Sequence, residues 1–307
     1  FEGGLVFYDA FLPSLTSAKS YGRVSGYGFA MGYLGALAVL VIVNLILPDP
    51  ASGDYLFFVR FSFVVAAAFF LLFSLPMFIF VPEPQRVLSA SSTRGYIREG
   101  MKQAARTFRV LFIEHDFPEI GRFLIAFFIY NDGILTVIAF AAIFAERILN
   151  MDDKAIIIFF AVVQTSAVIG SVIFGFITDE IGPKKTISLT LAIWIGITLG
   201  AFFVKTVGVF YVVALAAGVA IGSSQSASRS LMALLTPKER EAEFFGFYDG
   251  LCGKASAVIG PFIYGLIADF TNERVAALSI GLFFLAGLLL LQGVSEPERG
   301  FVPAEVS

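Results

Sequence analysis

Two charged residues interrupt apolar runs. Asp132 stands in "FFIYNDGILTVIAF", and Lys254 in "FYDGLCGKASAVIGPFIYG". Inside hydrocarbon an ionised side chain is costly unless it meets a partner, a bundle interior or a water-filled path. A carboxylate placed there can hold a cationic group or take up a proton, and an ammonium can set the local field or meet an anion. Asp132 lies about ten residues beyond Arg122, which is about 15 Å of helix at 1.5 Å per residue. Lys254 lies at a similar depth, so both read as candidates for substrate contact or proton coupling. Structural readings also stand: the two can pair with each other, or Lys254 with Asp249. Asn131 adjoins Asp132, but neighbouring helical residues point about 100° apart, so the pair is not expected to centre on one surface. Gln164 sits near the same depth and can reach a cavity or hydrogen-bond across helices. Tyr130 and Tyr248 can present hydroxyls to the charges.

These residues are carried by elements that the composition makes plain. The chain has 307 residues, is 58% hydrophobic and only 15% charged, with 36 Phe. A soluble domain carries about 25% charged residues. Apolar stretches recur at about 26–47, 58–81, 121–145, 154–177, 186–204, 207–228, 244–268 and 274–292. Each has the roughly 20 residues that a helix needs to cross about 30 Å of hydrocarbon. The fold class is therefore all-α and polytopic, surrounded by membrane lipid.

The remaining composition excludes other chemistries. Cys252 and His115 are the only residues of their kind, so no cysteine cluster or intramolecular disulfide can form. His115 reads as a solvated loop residue. There is no P-loop and no nucleic-acid motif. Neither a cofactor nor a metal is expected, and no nucleophile–base pair supports an enzyme.

Lys and Arg set the orientation. Lys19, Arg23, Arg86, Arg94, Arg98, Lys102, Arg106, Arg109, Arg122, Lys184, Lys185, Arg229, Lys238, Arg240 and Arg299 fall in or beside connections on one side; the other side holds only Arg60, Arg147, Lys154, Lys205 and Arg274. Both ends of the chain are expected in the cytoplasm. The connection 82–120, basic and partly amphipathic, reads as a linker along the membrane surface or as a solvated connector. Two spans precede it and six follow. Many transporters pair two six-helix halves, so the chain reads as lacking about four N-terminal spans; the alternative is a native eight-span protein. That divides it into 1–81 (the rest of a first half), 82–120 (linker), 121–292 (a second half) and 293–307 (tail).

Several small residues bear on packing. Gly28 and Gly32 have small-xxx-small spacing. Gly222, Ser223, Ser224, Gln225, Ser226 and Ser228 form a polar run that suits either a gating surface or tight packing. Arg229 follows and is expected to latch onto the acidic side of "PKEREAEFF". Pro261 can kink its helix.

"TDEIGPKK", Thr178 to Lys185, resembles the loop signature of the major facilitator superfamily. The resemblance implies a cytoplasmic latch: Asp179 or Glu180 near helix ends, Gly182 in a tight turn, and Lys184 and Lys185 at the membrane face. Three longer stretches, beginning "FYDAFLPSLTSAKSYGRVSG", "FFIYNDGILTVIAF" and "GSSQSASRSLMALLTPKERE", are similar to the UMF1 or Atg22-like branch of that superfamily. The likeness runs from the end of a fourth helix onward and implies that the eight spans are helices 5–12. Members usually begin with a helix bearing a Tyr-Asp-Trp motif, which has no counterpart here. It also implies secondary transport or export of small polar solutes, amino acids among them, by alternating access, in a bacterial inner membrane. The alternative is a sensor or scaffold derived from a transporter.

Overall fold

Backbone groups in hydrocarbon find no water, so a long apolar run must satisfy them within itself as a helix. In the computed structural model, which describes residues 2–49, 51–81 and 93–297, all eight predicted spans are helical. The chain opens with two short helices, α1 (Glu2–Ala10) and α2 (Leu12–Leu15), and a 3-10 turn at Ala18–Ser20. The long helices α3 (Tyr21–Ile46) and α4 (Tyr55–Phe80) follow. Next come α5 (Thr93–Phe112), α6 (Pro118–Leu149), α7 (Asp153–Ile181), α8 (Pro183–Phe203) and α9 (Val207–Leu235). The last two spans are a broken one, described below, and α13 (Glu273–Gln292). The linker residues 82–92 and tail residues 298–307, with Arg86 and Arg299, lie outside the described residues.

Local chemistry sets the helix ends. Asp152 accepts from Ala155 N at 2.9 Å, and Asn272 accepts from Arg274 N and Val275 N at 3.0 and 3.1 Å. Both are N-caps that satisfy free amides of a first turn. Pro118 and Pro183 occupy first helical positions, where a missing N–H costs nothing. Gly182 joins α7 to α8 at φ 101°, a conformation that L side chains rarely adopt.

The seventh span, Glu241–Phe270, is not one helix. It runs as α10 (Glu241–Phe245), a π-helical turn (Gly246–Cys252), α11 (Gly253–Ala255), a break at Ser256–Val258, and α12 (Ile259–Phe270). The sequence predicts a kink at Pro261. The interruption instead lies just before it, which leaves Pro261 in the first turn of a new helix, where proline is tolerated.

Packing places α7 between α3 and α9, and α13 between α6 and α8. Trp194 of α8 stacks on Phe284 of α13 at 5.1 Å, and Phe127 of α6 stacks on Tyr248 at 4.3 Å. By contrast, α4 leans on α3 and has no buried residue. α5 is amphipathic: Thr107, Val110 and Leu111 are buried, while its other face is exposed.

The seams of α7 against α3 and against α9 are both glycine-tight. A Cβ at Gly22 would lie 2.5 Å from the Gly175 carbonyl oxygen, and one at Gly26 would overlap that of Ser171. Gly222 of α9 is equally crowded by Ala167 of α7. The expected Gly28–Gly32 contact is therefore corrected to Gly22–Gly26, which has the same four-residue spacing. Gly28 faces Tyr8 and Arg229 instead, and Gly32 has nothing within 4 Å. Gly26→Ala should destabilise the protein by about 1–3 kcal/mol through overpacking, whereas Gly32→Ala should leave its melting temperature in detergent unchanged.

Candidate functional site

Near the middle of α6, three consecutive residues are buried: Tyr130, Asn131 and Asp132. Asp132 is 1% exposed, and its Oδ1 and Oδ2 accept the Gly260 N–H at 2.9 and 2.8 Å. That amide belongs to the first turn of α12, so Asp132 caps a helix N-terminus from a neighbouring helix. Gly260 is needed there, because a Cβ would lie 2.8 Å from Asp132 Oδ1 and overlap Thr136. Asn131 Nδ2 donates to Gly253 O at 3.2 Å and Ser256 Oγ at 2.8 Å, on the other side of the same break. The expectation that these neighbours serve different surfaces is thus corrected. They point apart, but a broken span offers partners far enough apart for both.

The other midplane residues disperse. Tyr130 is fully buried, with its hydroxyl 2.7 Å from Ser228 Oγ, and Gly287 packs on its Cβ. Lys254 is exposed on α11, whereas Asp132 is enclosed. Gln164 is half-buried on α7. Gln225 Oε1 accepts from Tyr33 Oη, which ties α9 to α3.

A second set of charges lies at the end of the bundle where α5 sits. Arg229 of α9 is 3% exposed and pairs with Asp9 of α1 at 2.7 Å. Its Nε donates to Ser25 Oγ at 3.0 Å, and its guanidinium lies 5.2 and 5.1 Å from the ring centroids of Tyr8 and Phe29. Arg229 therefore latches onto α1 and α3, not the acidic run expected from the sequence. In that run Glu243 is held by Arg240 at 2.7 Å and by Thr107 of α5. Asp249, on the π-helical turn, is half-buried beside Asp9, Arg229 and Lys254.

Asp179 makes a contact that explains its loop. Its Oδ1 accepts Gly22 N at 2.8 Å; its Oδ2 accepts Arg23 N at 3.3 Å and Arg23 Nε at 2.7 Å. The carboxylate thereby meets the N-terminus of α3, where the helix dipole favours an anion. Lys184 does different work from the latch expected. Its Nζ donates to Gln292 O and Val294 O at 3.0 and 2.6 Å, closing the C-terminus of α13. Lys185 is exposed. No group of His, Cys, Asp and Glu among the described residues could hold a metal ion.

A family model described as "Vacuole effluxer Atg22 like" matches residues 13–304. The chain belongs to the vacuole effluxer Atg22-like family. An uncharacterized MFS-type transporter of Bacillus subtilis, YxiO, is 29% identical to it, over all of this chain and 69% of that protein. Autophagy-related protein 22 of Eremothecium gossypii is 27% identical, over 92% of this chain and 57% of that protein. Among solved structures, the transporter FucP in the outward conformation matches with a TM-score of 0.68, covering 95% of this chain and 72% of its own. The human organic anion transporter MFSD10 gives a TM-score of 0.60, covering 95% of this chain and 83% of its own. Both are 14% identical, a likeness of fold: this is a major facilitator fold.

Membership in the Atg22-like family places the chain among transporter-type, multi-pass membrane proteins and not among enzymes. Within this family member, sequence reasoning missed Asp9, Ser25 and Tyr33. Asp9 obeys the rule that singled out Asp132, an acid in an apolar run, but its run is too short to read as a span. Ser25 and Tyr33 carry no signal until α3 is seen against α9. Asp132→Ala should cost about 1–3 kcal/mol, because it strands a buried amide. Asp132→Asn, whose amide oxygen still accepts, should melt closer to wild type.

Proposed function

We propose that this chain forms part of a secondary transporter that moves a small polar solute, with amino acids as the solute class, by alternating access. The observation that carries the reading is the seam of α3 against α7 and α9. It combines glycine-tight helix contact with a small number of polar ties, Asp179 to the N-terminus of α3 and Arg229 to Asp9. Such ties can break and re-form as discrete units while each set of helices keeps its packing. The family description as a vacuole effluxer supports export of a solute.

In this reading the eight spans are helices 5–12 of a twelve-helix transporter. Residues 1–81 belong to the first half, 82–120 are the linker, 121–292 form the second half and 293–307 the tail. The end bearing α5, the linker and the tail is cytoplasmic, in a bacterial inner membrane. We place the solute against the break in the seventh span, since discontinuous helices commonly build such sites. Lys254, exposed on α11, supplies positive charge for a carboxylate, while Asn131 and Asp132 hold the break in position. Gln164 and Tyr130 act from neighbouring helices, and Gly182 fixes the turn that presents Asp179.

Full-length protein in proteoliposomes should exchange amino acids from a mixed labelled pool. No exchange from a well-folded preparation would sink the reading and favour a sensor or scaffold. In a Cys252→Ala background, a cysteine at Ala18 should react several-fold faster with an impermeant maleimide once Asp179→Asn loosens the latch.

A further inference from the structure

α5 is held to the bundle by its C-terminal end. Every residue from Arg98 to Arg106 is exposed, whereas Thr107, Val110 and Leu111 are buried. Leu111 lies against the first turn of α6, where a Cβ at Gly121 would come within 2.8 Å of its carbonyl oxygen. Thr107 bonds to Glu243, at the start of the seventh span. Both spans begin at this end of the bundle, so the anchored end of α5 stands where helices leave the hydrocarbon. The chain reaches α5 from another span, α4, which ties the helix to one face of the membrane from both directions. At 3.6 residues per turn, its uncovered surface divides into two neighbouring stripes. Met101, Ala105, Phe108 and Phe112, at i, i+4, i+7 and i+11, form the apolar one. Met101 is 71% and Phe108 46% exposed, and the rings of Phe108 and Phe112 lie 5.0 Å apart. Arg98, Lys102, Arg106 and Arg109 form the basic one, all four exposed. Arg109 meets Glu114 at 3.3 Å, but Arg98, Lys102 and Arg106 have no ion pair among the described residues.

We propose that α5 is a binding site for anionic phospholipid: its Met101–Phe108 stripe enters the leaflet at this end of the bundle, and Arg98, Lys102 and Arg106 hold the lipid phosphates. An apolar stripe beside a row of cations matches the boundary between acyl chains and headgroups, where amphipathic helices lie in the plane of the membrane. The long Lys and Arg stems can run along the apolar stripe while their charged heads stay at phosphate level. Charge complementarity selects the lipid. A zwitterionic surface offers the three unpaired cations no net attraction, whereas an anionic leaflet draws in each one. Lipid so bound would fix the course of the connection between α4 and α6, which the bundle itself grips only at Thr107–Leu111. This inference rests on the membrane-spanning fold and not on the transport reading.

The test uses the full-length protein in nanodiscs, with Met101→Cys carrying a nitroxide in a background free of other cysteines. In phosphatidylcholine discs containing phosphatidylglycerol, the label should collide several-fold more with oxygen, which concentrates in lipid, than with a water-soluble nickel chelate. Pure phosphatidylcholine, or salt high enough to screen the cations, should shift the balance towards the chelate. In the triple variant Arg98→Gln, Lys102→Gln, Arg106→Gln, the phosphatidylglycerol fraction needed for half the effect should rise several-fold. Those side chains are exposed, so the variant should melt like wild type in neutral detergent, which separates a lost lipid contact from a lost fold. A label equally open to the chelate in both lipids overturns the proposal. So does one shielded from both reagents, as a covering protein would leave it, or a folded triple variant that behaves as wild type. Solute flux plays no part in this readout, so a protein that transports nothing could still pass it, and an active transporter could fail it.

Discussion

A guanidinium buried at 3% exposure within a membrane-spanning bundle constrains everything around it. Arg229 cannot lose its proton, so its surroundings must supply the compensation. They do so with one carboxylate, one hydroxyl and two aromatic faces, drawn from α1 and α3. Removing one partner would leave a buried charge uncompensated, far costlier than the pair is stabilising. The charge therefore acts mainly as a specifier: it dictates which surface of α9 the first part of the chain must meet.

The close helix contact makes that meeting possible. Lipid tails are as apolar as the side chains they would replace, so burial alone drives little association between membrane helices. Glycines at 22, 26, 175 and 222 bring backbones near enough for dispersion contacts and for short ties such as Ser25 Oγ to Ser226 O at 3.0 Å. The hydroxyls of Ser223, Ser224 and Ser228 turn back to their own helix. That leaves the polar run of α9 as a packing surface with few exposed polar atoms.

The broken seventh span shows the same economy. A break at Ser256–Val258 frees backbone groups that hydrocarbon cannot satisfy, and α6 answers with Asn131 on one side and Asp132 on the other. Two adjacent polar residues that point apart on their helix together support one irregular backbone. The irregularity, in turn, puts Asp249 and Lys254 on a segment that is not held by an ordinary helical ladder.

The eight spans were legible in the sequence because length and apolarity act locally: each run must satisfy its own backbone, whatever its neighbours do. The turn at Gly182 was legible through the resemblance of its loop to the superfamily signature, and φ 101° is the conformation that asks for glycine there. The partners of the charges were not. Arg229 and Asp9 are 220 residues apart, and no spacing rule links them. Asp132 is bound to a backbone amide, which every residue but proline has, so its partner leaves no trace in residue type. Hydropathy alone determined what crosses the membrane. Which charge meets which, and where a helix breaks to receive it, was decided only by the packing of helices distant in sequence.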